Sequence, residues 1–113
     1  MGARGYGVVS ENGDHIEGAS EDALFEMISA LNDADNTFIV IEPDTDAPTW
    51  FASVAVLDED GFEIVRRDSS RREHTVHTET DIGRISADLI VWLASRNFPG
   101  RPDRRDTNSW NTP

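Results

Sequence analysis

The sequence predicts an α+β domain: an antiparallel four-stranded meander with two helices packed on one face, plus a short N-terminal hairpin. Three observations carry this reading. Two segments repeat their apolar residues at helical spacing, Leu24, Phe25, Ile28 and Leu31 in one and Ile82, Ile85, Leu89, Trp92 and Leu93 in the other. Between them lie four segments rich in β-branched and aromatic residues, separated by clusters of turn-forming residues. Ahead of them, Asn12-Gly13 joins two short extended segments, and this pair readily adopts the positive φ angles of a tight hairpin turn.

Tyr6 to Ser10 and His15 to Glu17 form the arms of that hairpin. Ser20 is placed to cap the first helix, whose first turn holds Glu21 and Asp22, both favourable beside the unsatisfied amides of a helix N-terminus. The helix is expected to stop near Asn32-Asp33. Thr37 to Ile41 then reads as a central strand covered on both faces, because its β-branched and aromatic content is nearly continuous. Pro43 and Pro48 bracket a polar loop containing Asp44 and Asp46.

Trp50 to Leu57 is a second strand, and Asp58-Glu59-Asp60-Gly61 turns it directly into a third, Phe62 to Arg67. Ser69 and Ser70 mark another turn. Glu73 to Thr80, rich in threonine, is expected as a fourth and more exposed strand. Thr80 or Asp81 caps a second helix that runs to about Arg96. Residues 1–98 are thus one domain, and 99–113 a polar tail, expected to be mobile unless Trp110 docks.

Composition narrows the function. The 113 residues include no cysteine, which excludes disulfides, thiolate metal sites and cysteine nucleophiles. No apolar run approaches the roughly 18 residues of a membrane span, and the N-terminus lacks the apolar core of a signal peptide, so a cytoplasmic protein without membrane contact is expected. All ten basic residues are arginine. The net charge of −12 is lopsided: residues 1–65 carry fifteen acids against one arginine, and residues 66–113 nine arginines against seven acids. Such self-repulsion points to a basic protein partner, although an acidic surface also serves solubility.

Candidate catalytic groups are sparse. His74 and His77 are three apart, which sends them to opposite faces of a strand and argues against shared metal ligation. Asp44-Thr45-Asp46 and Asp58-Glu59-Asp60-Gly61 lack the twelve-residue pattern of a calcium loop, and ordinary turn chemistry accounts for both. The serines have no nucleophile elbow, and no glycine-rich phosphate loop follows a strand. The expected protein is therefore not an enzyme and uses no metal or cofactor. Arg66-Arg67 and Arg71-Arg72 straddle a turn and are expected to pair with acids such as Asp68 and Glu73. The overall charge and the absence of groove-reading motifs argue against nucleic acid.

The acidic side offers a partner site. Asp44 and Asp46 before the second strand, and Asp58, Glu59 and Asp60 after it, would form one negative rim if the two connections were neighbours. Trp50 or Phe51 would then serve as an aromatic anchor. Strand alternation sends those two rings to opposite faces of the sheet.

A small, acidic, lysine-free chain with a short hairpin, the helix Ser20-Glu21-Asp22-Ala23-Leu24-Phe25 with Leu31-Asn32 after it, a hydrophobic strand and a meander resembles the actinobacterial immunity proteins of polymorphic toxin systems. In layout it is similar to the family that blocks deaminase toxins, and Trp110 following Arg101-Pro102 resembles that family's C-terminal end. The resemblance implies a non-catalytic inhibitor that covers the active cleft of a basic toxin. The alternative expectation is a dimeric secretion-chaperone-like domain that shields a segment of a partner protein with the exposed face of the meander. A homo-oligomer is compatible with the sequence in either case.

Overall fold

In the computed structural model, which describes residues 5–96, the chain forms β1 (Tyr6–Ser10), β2 (His15–Glu17), α1 (Glu21–Ser29), β3 (Phe38–Pro43), β4 (Trp50–Val56), β5 (Phe62–Asp68), β6 (Glu73–Glu79) and α2 (Ile82–Ala94). A single 3₁₀ turn over Ser69–Arg71 joins β5 to β6. The expected tail, residues 99–113 with Trp110, lies outside the described residues.

The strands make one six-stranded antiparallel sheet in the order β2-β1-β3-β4-β5-β6. β3 to β6 are the predicted meander. The N-terminal hairpin is no appendage to it: β1 pairs along its whole length with β3, and Val8, opposite both Ile16 and Ile41, is fully buried. Burying that valine between two isoleucines ties the hairpin to the sheet, since each such side chain contributes roughly 1.5–3 kcal/mol over its exposed state.

Both helices lie on the same face and pack against each other. Ser20 accepts a hydrogen bond from the Ala23 amide at 3.2 Å, and Asp81 accepts one from the Arg84 amide at 3.2 Å, so each helix begins on a side-chain cap. Alternation along the strands turns Ile39 and Ile41, Ala52 and Val54, and Ile64 toward the helices, where Leu24, Ile28, Ile85, Leu89 and Leu93 meet them.

The pattern departs from expectation at two places. Met27 joins Leu24 and Ile28 in the core, whereas Phe25, one residue round the helix, is 42% exposed and rests near Gly83 at the start of α2. β3 is covered on one face only, because both helices occupy the same side of the sheet: Ile39 and Ile41 are fully buried, but Phe38 is 37% exposed. The opposite face of the sheet carries no covering element among the described residues.

Candidate functional site

An antiparallel strand leaves its two connections at opposite ends of the sheet. β4 is seven residues long, so the β3–β4 loop with Asp44 and Asp46 lies roughly 20 Å from the β4–β5 turn with Asp58, Glu59 and Asp60. The single rim anticipated from the sequence is therefore split in two. Trp50 belongs to neither part. It is buried on the helix side, its ring edge-on to Trp92 with centroids 5.5 Å apart, and of the two candidate anchors Phe51 is the one on the open face.

Topology gathers a different set of carboxylates around the β4–β5 turn. The β1–β2 turn brings Glu11 and Asp14 to this end, the α1–β3 loop brings Asp33 and Asp35, and the β6–α2 junction brings Glu79 and Asp81. With Asp58, Glu59 and Asp60, four alternate connections of the fold, the first, third, fifth and seventh, contribute acids to one end. The sequence reading missed the first six, because their convergence depends on which strands pair rather than on any local motif.

The loops that carry these acids are held by specific contacts. Asn32 Oδ1 accepts hydrogen bonds from the amides of Ala34 at 2.8 Å, Asp35 at 3.0 Å and Asn36 at 3.3 Å, wrapping the loop around one side-chain oxygen. Asn36 is buried and bridges elements, donating from Nδ2 to the Ala30 carbonyl at 3.2 Å and accepting from the Asn12 amide at 3.3 Å. The β4–β5 turn closes through the Leu57 amide on the Gly61 carbonyl at 3.1 Å. Gly61 has φ +102°, and a Cβ there would sit 3.1 Å from Thr80 Cγ2 and 3.2 Å from the Glu79 carbonyl oxygen. Only glycine lets the turn and the β6–α2 junction lie this close.

Glu11 is exposed but oriented, accepting from the Thr37 hydroxyl at 2.6 Å and the Thr37 amide at 2.8 Å. These two bonds, the hydroxyl first, hold its carboxyl below its ordinary pKa of 4.5 and keep it ionised. Glu79 accepts from the amides of Thr80 and Asp81 and lies 3.8 Å from Arg84. Among the described residues, no cation comes within 4 Å of Asp14, Asp33, Asp35, Asp58, Glu59 or Asp60. The charge here is exposed and largely unneutralised.

An open groove of about 450 Å³ runs between the α1–β3 loop and the β4–β5 turn. Leu31, Val56, Leu57 and Phe62 form its apolar part, and Asp33, Asp58, Glu59 and Asp60 its rim. Such a site suits a long basic side chain, whose aliphatic stem is apolar and whose head is cationic. The described residues include no group of three or more His, Asp or Glu placed to hold a metal ion.

The opposite end of the sheet is mixed in charge. Asp44 and Asp46 are exposed there, while on its far side Asp68 and Glu73 are neutralised by arginine. The main cation is Arg96, at 3.1 Å from Asp68 and 3.4 Å from Glu73, with Arg71 at 3.8 Å from Asp68. The expected pairing of Asp68 and Glu73 with arginines thus occurs, but chiefly through the end of α2. His74 and His77 occupy opposite faces of β6, as alternation requires. No helix among the described residues is long and apolar enough to cross a membrane. No protein-family model, no curated protein and no solved structure matches this chain.

Proposed function

We propose that this protein is a non-catalytic binding protein that engages a basic macromolecular partner, an immunity or inhibitor protein that covers the cleft of a toxin or effector. One observation carries this reading: four alternate connections deliver nine carboxylates to one end of the sheet, around a groove with an apolar floor. Asp58, Glu59 and Asp60 form the centre of the contact, with Asp33 and Asp35 across the groove. Enzymes that act on nucleic acids present basic clefts, and an acidic plug gains association rate from the attraction between the two surfaces. Leu31, Leu57 and Phe62 supply the apolar contact that lengthens residence once the charges have met.

The test is co-expression of the tagged chain with the open reading frame beside it, followed by affinity capture at low ionic strength. The reading expects one basic protein, released by salt as the Debye length falls below about 8 Å. Recovery of no basic protein under these conditions overturns it.

A further inference from the structure

The face of the sheet turned away from the helices is less polar than an uncovered antiparallel face usually is. The strand registers align Val9, Val40, Ser53, Val65 and Val76 in one row across five strands. Val9 is 44% exposed and Val76 55%, and Phe38 stands beside them in the next row, opposite Ala55. In the row of Gly7 the charges separate laterally: Glu17 and Glu42 lie on the β2–β1–β3 half, and Arg67 and His74 on the β5–β6 half, while His15 beside Glu17 and Glu63 on β5 occupy the neighbouring rows. Among the described residues, no acid lies within 4 Å of the Arg67 guanidinium.

We propose that this face is a homodimer interface, closed by the same face of a second copy about a two-fold axis parallel to the strands and midway between β3 and β4. That rotation exchanges β3 with β4, β1 with β5 and β2 with β6 at a constant level along the strands. Phe38 then lies over Ala55 of the second copy, a large side chain over a small one, and Val9 meets Val65. His74 meets Glu17. Arg67 falls over Gly7, the one position of its row without a side chain, where a concavity of about 420 Å³ is bordered by Glu17, Glu42 and Asp44; the His15 ring, 3.0 Å from Glu17, lies over part of Gly7, so Arg67 enters from the Glu42 side.

Aligned sheets cross at about 30°, which shifts facing rows by about one residue at β1 and β5, a displacement the Arg67 side chain spans, and by about two at the outermost strands, which loosens the contact of His74 with Glu17. Counted as a flat rectangle, six strands present roughly 500 Å². A pair therefore buries roughly 1,000 Å², the lower bound of a specific interface. The rotation also turns Glu63 toward Glu11 of the second copy, a repulsion that keeps the pair weak. Apart from Glu11, the acidic ends stay uncovered in both copies, so dimerisation and partner binding are separate properties.

The test is the mass of the full chain in solution, by light scattering and sedimentation equilibrium, at roughly 0.15 M salt. The wild-type protein is expected to move from 12.6 kDa to twice that mass as concentration rises. Arg67→Glu alone, and Glu17→Arg with Glu42→Arg alone, should each remain at the monomer mass while retaining the wild-type circular dichroism spectrum. Mixing the two variants restores both charge contacts and should return the doubled mass. A wild type that stays monomeric, or folded variants that stay monomeric when mixed, overturns the proposal. So does a monomer whose valine row is protected from labelling only when a different protein is added, which assigns the face to that protein.

Discussion

The guanidinium of Arg96 lies 3.1 Å from the carboxylate of Asp68, and each side chain is 3% exposed. Arg96 also stacks 4.2 Å from the centre of the Trp92 ring, while the Trp92 indole donates to Glu73 at 2.8 Å. The residue two positions beyond α2 is thereby locked to both strands of the β5–β6 hairpin. Removing one partner of a buried ion pair leaves a charge without compensation, at a cost of about 3–5 kcal/mol. Arg96→Met is therefore expected to lower the urea midpoint markedly. The double variant Arg96→Met with Asp68→Asn should recover much of the loss, because neither side then buries a lone charge. Equal losses in the single and double variants would show that the pair is not the source of the effect.

The order of elements was legible because each carries a local signal: Ser20 and Asp81 cap their helices, and Asn12-Gly13 and Gly61 sit in turns. Which side chains of β4 share a face was legible too, since alternation already separates Trp50 from Phe51, but the exposure of Phe25 and Phe38 was not. Membership of β1 in the main sheet was not, because a short strand gives no sign of which neighbour it will pair with. The gathering of acids at one end of the sheet was not legible for a simpler reason. Two connections of one antiparallel strand lie at opposite ends, so Asp46 and Asp58 are separated by the meander itself, while Asp33 meets Asp58 through a pairing of distant segments. Arg96 escaped notice because nothing local distinguishes a buried arginine at a helix end from a solvated one.

Gly61 offers a way to disturb the acidic turn without altering charge. Its φ of +102° is unfavourable for any other residue, and an added Cβ would press on the Glu79 carbonyl and the Thr80 methyl. Gly61→Ala is expected to destabilise the fold by more than about 1 kcal/mol, since both the backbone strain and the contact oppose it. Chemical denaturation measures the loss. A stability equal to wild type would mean that the turn can relax away from the β6–α2 junction.

Thr37 fixes the charge state of Glu11. The hydroxyl is the larger cause of the lowered pKa, so Thr37→Val should raise it toward 4.5, and the remaining amide bond should keep the return incomplete. Because the folded state holds the lower pKa, this interaction favours folding above the ordinary carboxylate value and is lost as pH falls through the folded one. NMR titration of the Glu11 side chain in both proteins checks the direction. An unchanged midpoint would show that Thr37 does not set it.

Charge reversal at the β4–β5 turn separates attraction from mere solubility. Asp58, Glu59 and Asp60 are exposed, with no cation within 4 Å among the described residues, so replacing all three by lysine removes no native ion pair and should leave stability within about 0.5 kcal/mol. Association with a basic partner should nevertheless slow by an order of magnitude or more, and its dependence on ionic strength should flatten, because steering acts on the rate of encounter. A double reversal at Asp44 and Asp46, at the other end of the sheet, is matched in net charge by one at Asp58 and Asp60 alone. The Asp44 and Asp46 reversal should slow association much less if the groove beside Leu57 and Phe62 is the contact. Stopped-flow measurement of the two double variants against the captured partner decides the matter: equal slowing would mean that net charge, and not this end of the sheet, governs the encounter.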